Sequence, residues 1–392
     1  MKTIKRTRAL VLNCLPLAGA FLSAGALAQS SVTLYGTIDN ALAYSSNQHG
    51  KANFYMGQGE LGASKFGLMG AEDIGGGTKT VFRLESGFNS ATGAQSSAGY
   101  IFNRQAYVGL SNDRYGTLTL GRQYTPYFTL VGALGPTNVL TGATGAHPGD
   151  LDALDTTLRL NNSINYASPN IAGLTFGAQY GLGGTPGSVT NGSHFSAALR
   201  YDYQALSAAV GYVNLRNIAT SQALGSFANS SPVNNGYATA NTTQMVAAAA
   251  RYSLNNLVLG LNYSNVRYTP NAHSLFVNEA VFNTYGTIAT YQITPALFAA
   301  IGYSYTRASK ANGIEDPAQY HQISLEQTYN LSKRTTLYAL EAYQHAHGKS
   351  LIASGSGVTI ADTVAVVGDS QSSTPSSGPS QFVGMVGIRH AF

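Results

Sequence analysis

Gln381-Phe-Val-Gly-Met-Val-Gly-Ile-Arg-His-Ala-Phe392 closes the chain, and the fold can be read outward from it. Alternate residues Phe382, Gly384, Val386, Ile388, His390 and Phe392 form one largely apolar face, the period-two signature of a strand with two unlike sides. The same alternation returns along the chain. Val32, Leu34, Gly36 and Ile38 oppose Thr33, Tyr35, Thr37 and Asp39. Phe82, Leu84 and Phe88 oppose Lys79, Arg83 and Glu85, and Leu160, Ile164 and Tyr166 oppose Arg159, Asn161, Ser163 and Asn165. Such a pattern suits a transmembrane β-barrel, whose strands present one side to lipid and the other to water. A terminal aromatic strand, ending in Phe392, is then expected to close against the first strand.

The other end of the chain fits an exported protein. Lys2, Lys5, Arg6 and Arg8 precede an apolar run from Ala9 to Leu22, and Ala26-Leu27-Ala28 supplies a cleavage site before Gln29. The run is interrupted by Asn13 and Pro16 and is shorter than the roughly 20 residues of a spanning helix. Residues 1–28 are therefore expected to be a signal peptide and residues 29–392 the barrel. Without the leader the 22 basic residues fall to 18 against 17 acids, a net charge of +1, so a nucleic-acid partner is not expected. The mature chain would have no cysteine. Charged residues make up 10% of the chain, against about 25% in ordinary globular proteins. Tyr (25) and Phe (15) are plentiful, which argues against disorder.

We count 16 alternating segments, starting near Val32, Lys65, Thr78, Ile101, Thr117, Arg159, Leu174, His194, Leu206, Thr243, Leu257, Phe282, Leu297, Gln319, Thr336 and Gln381. Seven tight turns, among them Glu72–Gly77, Asn112–Gly116 and Leu331–Thr335, alternate with longer loops. That asymmetry belongs to an even-stranded barrel with short periplasmic turns. Three connections are far longer: Tyr124–Leu158, Arg216–Thr242 and Ala346–Ser380. The last is rich in Ser, Gly and Pro and reads most simply as a solvated outer loop. The first carries Asp150, Asp152 and Asp155 with Gly132, Gly135, Gly142, Gly145 and Gly149, suited to following a curved wall. The tyrosines Tyr201, Tyr203, Tyr212, Tyr263, Tyr303 and Tyr305 are expected in girdles at the lipid interfaces.

Several stretches resemble the general porins of Gram-negative bacteria, of the Neisseria and Burkholderia–Bordetella type. They include Ser31-Val-Thr-Leu-Tyr-Gly36, Ser64-Lys-Phe-Gly-Leu-Met-Gly-Ala-Glu-Asp73, Phe82-Arg-Leu-Glu-Ser-Gly-Phe88 and Asn103-Arg-Gln-Ala-Tyr-Val-Gly-Leu110. Leu120-Gly-Arg122, Asn162-Ser-Ile-Asn-Tyr-Ala-Ser-Pro169, Tyr329-Asn-Leu-Ser-Lys-Arg-Thr335 and Val386-Gly-Ile-Arg-His-Ala-Phe392 follow in the same order. The resemblance implies an all-β, 16-stranded antiparallel barrel, a homotrimer in outer-membrane lipid, and a third loop folded inward to narrow the pore. It implies passage of small hydrophilic solutes and ions, with no catalysis and no cofactor.

An aqueous barrel of this width selects only if fixed charges of opposite sign face each other across a constriction. The expected acidic side is Asp150, Asp152 and Asp155 in the third loop, with Glu85 as a partner on the wall. The expected basic side is Lys65, Arg83, Arg104, Arg122 and Arg159. The resemblance maps its basic wall onto Lys65, Arg104 and Arg159, with Lys65 standing where Arg is usual. Arg104 shares parity with Ala106, Val108 and Leu110, so simple alternation would send it to lipid; a bulge between Arg104 and Ala106 would reverse that. Arg122 has the same difficulty beside Leu118 and Leu120. More bases than acids at the constriction imply a weak anion preference.

Other motifs carry less. Gly57-x-Gly59-x-x-Gly62 lies between strands with no helix to follow, Ser354-Gly-Ser-Gly357 lacks a full nucleophile elbow, and His345-x-His347 has no third ligand at a metal-binding spacing. A barrel hydrolase is thus disfavoured. A surface receptor or adhesin using the loops Arg216–Thr242 and Ala346–Ser380 is the alternative, and it is compatible with a pore.

Overall fold

The computed structural model describes residues 31–138, 142–155, 158–217, 231–369 and 375–392. The expected signal peptide therefore lies outside the described residues. The described residues form nineteen strands, β1–β19 in chain order: 31–48, 51–58, 65–75, 78–87, 105–112, 116–124, 159–167, 174–181, 194–203, 206–216, 242–254, 257–269, 280–292, 297–308, 319–330, 335–347, 349–354, 357–362 and 380–391. All but β17 and β18 belong to one antiparallel sheet closed by the β1–β19 pairing. Strands β2 and β3 share one place in the wall. β3 pairs with the lower half of β1 (Ser31–Thr37) and β2 with its upper half (Asn40–Gln48), so the closed barrel has 16 staves.

Alternation sorts the side chains as expected. On β1, Val32, Leu34 and Leu42 are exposed on the outer face, while Thr37, Asp39, Ala41 and Ala43 are buried within. Tyr201, Tyr203, Tyr212, Tyr263, Tyr303 and Tyr305 alternate with the inward residues of β9, β10, β12 and β14 and so fall on the outer face. The seam is sealed by two hydrogen bonds, Gly36 N–H to the Phe392 carbonyl and Phe392 N–H to the Gly36 carbonyl, both 3.1 Å. The Phe392 ring covers Gly36 so closely that a Cβ there would lie 2.3 Å from the ring. Glycine at 36 is what lets the terminal aromatic sit flat on the first strand.

Three expectations need correction. The fourth stave, β5, begins at Gln105 rather than near Ile101, because residues 88–104 form a loop stitched to β4 by Gly87 N–H to Asn103 Oδ1 (2.7 Å). Leu160 is buried rather than lipid-facing. Asn162 has a positive φ of 51° and the β6–β7 register shifts beyond Gly121, so the strand changes parity at that bulge. Nor is the last long loop simply solvated. It contains the hairpin β17–β18, followed by Ala365, Val366 and Val367, all at most 1% exposed.

Candidate functional site

The segment between β6 and β7, loop three, packs against inward-facing side chains of the wall. A helical turn at Tyr127–Val131 buries Tyr127 and Val131 with Ala198, Ala209 and Val213 of β9 and β10. Arg251 on β11 donates to the carbonyls of Ala133 and Leu134. Further along, Gln322 on β15 donates to Ala146 O (2.8 Å) and Thr144 O (3.2 Å), and Ala143 N–H reaches Glu60 O at 2.8 Å. Gly142 has φ +53° and its Cα abuts Glu60 O so tightly that a Cβ would collide with it. The glycine there is needed both for backbone angle and for approach.

The partner of that contact is itself an inward excursion. Between β2 and β3 the chain leaves the wall at 59–64, held by Asp39, whose Oδ2 accepts from Leu61 N–H (2.9 Å) and Gly62 N–H (2.8 Å). Tyr338 on β16 donates to Asp39 Oδ1 at 2.5 Å. A fully buried carboxylate with three donors turns the backbone toward the lumen and presents Glu60 there.

Between these elements and the opposite wall lies a cavity of about 740 Å³, reaching from loop three down to Gln292, Asn330 and Thr336 near the turn end of the barrel. Its cationic lining is Lys65, Arg104, Arg159, Arg251 and Arg389; its anionic lining is Glu60, Asp155, Glu326 and Asp369. Of the nine residues singled out from sequence as constriction charges, Lys65, Arg104, Arg159 and Asp155 meet here. Arg104 is inward although parity sends it outward, because it stands before the strand rather than within it. Its Nε donates to Glu85 Oε1 at 2.9 Å, and Lys65 Nζ lies 4.0 Å from Glu85 Oε2. The Arg104 and Arg159 guanidiniums also lie over the Tyr124 ring, 5.8 and 5.4 Å from its centroid.

The other five are placed elsewhere. Glu85 is 2% exposed, held behind Arg104, and accepts from Tyr35 Oη at 2.8 Å, so it neutralises part of the basic wall rather than facing it. Arg83 lies over the Tyr35 ring, and Arg122 is buried behind the lining, donating to Asn103 O (2.7 Å) and Asn161 Oδ1 (2.5 Å). Gly121 (φ +134°) and the register shift beside it supply the bulge that turns Arg122 inward. Asp150 is 3% exposed and its Oδ1 accepts from Asp155 N–H (2.9 Å).

Asp152 is fully buried, 2.5 Å from His147 Nδ1 and bonded to Ser264 of β12. Asp152 therefore pins the loop to the wall and does not face the cavity. Burial opposes charge on both members of this pair. Each nonetheless favours the other's charge, so His147 lies above the usual imidazole range and Asp152 below the usual carboxylate range. Burial lifts Asp155 to about 6, against the pull of Arg159 and Arg104.

Sequence reasoning missed Glu60, Arg251, Glu326, Asp369 and Arg389. Parity alone would have placed Arg389, since its neighbours Ile388 and His390 fall on the outer face. Asp369 had no such signal.

A scan against known families matches residues 16–349 to the Gram-negative porins. The chain belongs to that family. Among its relatives, an outer membrane porin protein of Bordetella pertussis is 29% identical over 83% of this chain and 91% of its own length. Outer membrane porin protein 32 of Delftia acidovorans is 28% identical over 94% of this chain and 96% of its own. Among solved structures, an anion-selective porin from Comamonas acidovorans superposes with a TM-score of 0.70 at 25% identity, covering 93% of this chain and all of that one. This porin is thus a water-filled channel in the Gram-negative outer membrane for passive diffusion of small hydrophilic solutes, and not an enzyme.

Proposed function

We propose that the channel weakly prefers anions, and that its selectivity is set where Lys65, Arg104 and Arg159 face Asp155. The observation that carries this reading is the juxtaposition of three wall cations with a loop-three acid in one water-accessible cavity. Arg251 and Arg389 add to the positive side. Glu85 offsets part of it, and Arg83 and Arg122 contribute at longer range. Asp150 and Asp152 act by holding the loop's shape. A channel that is richer in fixed cations concentrates anions and repels cations while leaving neutral solutes free to pass. The mature chain begins after removal of residues 1–28, and Phe392 serves as the closing and assembly residue.

We further propose a homotrimer. Glu341 lies midway along β16 on the outer face, where Gln327 Nε2 donates to it at 3.3 Å. A carboxylate facing lipid at mid-height is costly. Beside it is an apolar groove lined by Leu42, Tyr44, Phe54, Met56 and Val386, with Phe54 82% exposed. A subunit contact would cover both.

The test is planar-bilayer recording of the purified protein in a potassium chloride gradient. Closures in groups of three and a reversal potential on the chloride side are expected. Neutralising Arg104 and Arg159 together should move that potential toward potassium; no movement would overturn the assignment of the constriction.

A further inference from the structure

The last outer loop does something loop three cannot do alone. After β18, the chain runs from Val364 to Asp369 inside the mouth of the barrel. Its backbone is held there as a strand would be, but by side chains of the wall. Val366 N–H donates to Gln344 Oε1 (2.6 Å) while Gln344 Nε2 donates back to Val366 O (2.7 Å). Val367 N–H donates to Gln381 Oε1 (3.0 Å), and Gly368 N–H to Gln322 Oε1 (3.2 Å). Three glutamines on the inner faces of β15, β16 and β19 therefore replace the missing ladder partners of a buried segment.

That segment then grips loop three. Asp369 N–H donates to Ala143 O (3.0 Å), and Gly149 N–H donates to Gly368 O (2.7 Å). Gly368 has φ +65°, and a Cβ there would run into Ala143 O. The two loops are thus in backbone contact at the point where both enter the cavity. The Asp369 carboxyl faces that of Asp155 at hydrogen-bonding reach, and both line the cavity with Arg104 and Arg159.

We propose that Val364–Asp369 is a strap that fixes loop three across the lumen, and that Asp369 is a second selectivity-determining acid of the constriction. The inference rests on the reading of that constriction given above. Two consequences separate it from a constriction built by loop three alone. The acid facing the basic wall is a pair supplied by two loops, and the calibre of the pore depends on a loop remote in sequence from loop three.

The experiment uses the mature chain, which contains no cysteine of its own. Asp369→Cys and Asp155→Asn are made separately, and folding is verified by the heat-modifiable gel shift of an intact barrel. At pH 7.5 Asp369→Cys should raise the chloride-to-potassium permeability ratio by about five- to thirtyfold before screening, since one charge at roughly 4–8 Å in water shifts each ion by about two- to sixfold in opposite senses. Labelling the thiol with a sulfonated methanethiosulfonate should restore the original ratio, and a quaternary-ammonium reagent should raise it further. Gln344→Leu with Gln381→Leu, which releases the strap without touching a charge, should increase conductance and add flickering substates. If Asp369→Cys and both labels leave the reversal potential unmoved while Asp155→Asn shifts it, the strap proposal fails and the loop-three constriction stands. If neither acid nor the Arg104 and Arg159 neutralisation has an effect, the constriction itself has been misassigned.

Discussion

The two sides of the lumen are built differently. The cations Lys65, Arg159, Arg251 and Arg389 sit on barrel strands, and Arg104 stands one residue before one. Their backbones are fixed by hydrogen bonds to neighbouring staves. The acids that meet Arg104 and Arg159, Asp155 and Asp369, ride on two loops that are held by side chains of the wall, by each other and, at Ala143, by the backbone of the 59–64 excursion; Glu326 is the acid the wall itself carries. The positive field is therefore a property of the barrel, and the negative one a property of how its loops are tied. Changes to the wall should act on both stability and selectivity, whereas changes to the loops should act on selectivity and gating.

The largest expected effect is on the wall. Arg104→Gln leaves Glu85 buried with only Lys65 as a cation, and should destabilise the folded barrel by about 3–5 kcal/mol, read from its unfolding midpoint in detergent. Adding Glu85→Gln should recover most of that stability. Selectivity should stay shifted toward cations relative to the parent, because the double variant loses one charge of each sign but only Arg104 lines the cavity. Full recovery of both would mean that the pair is structural and plays no part in permeation.

A smaller effect is expected on the loop side. With Asp155 at about 6, the carboxylate is largely charged at pH 7.5 and largely neutral at pH 5. Acidification removes a negative charge from the cavity, so the chloride preference of the parent should grow as pH falls through that interval. Asp155→Asn should show the raised preference at both pH values and lose the dependence. A parent whose reversal potential is flat from pH 7.5 to 5 would place this titration elsewhere.

The smallest effect concerns the anchor of loop three. His147 is lifted by Asp152, so its contribution is complete below the ordinary imidazole value of 6.5 and is lost as pH rises through the higher value it has in the barrel. Open-channel noise should therefore rise on the alkaline side, and His147→Asn should abolish that rise without changing the sign of the selectivity. Noise independent of pH in the parent would remove the pair from loop anchoring.

Legibility from sequence followed the same division. Period two is imposed by the pleat, so the wall could be read residue by residue: the outward set on β1 and on β19 and the inward Lys65 were all visible in the letters. Parity failed only where the ladder is interrupted. Leu160 and Arg122 lie on either side of the bulge linking β6 and β7, and Arg104 lies before its strand begins. Loop three could be suspected from its length and aspartates, but not which aspartate meets the cations, because that depends on Asp152 finding His147 and Ser264. The strap was illegible. A run of Val, Gly and Asp next to a serine-rich stretch has no period, and the three glutamines that capture it lie between 14 and 46 residues away in the chain.

Tyr124 bears on how densely such a wall can be charged. Two guanidiniums lie near one ring whose electron-rich π-system attracts both and adds no charge of its own. A carboxylate in that place would have relieved the repulsion by cancelling one of the cations, as Glu85 does for its neighbours. The aromatic ring relieves it while cancelling neither cation, so that Arg104 is offset by Glu85 and not by what separates it from Arg159. It works like an uncharged bearing between two like poles, so that an ion in transit meets both at once.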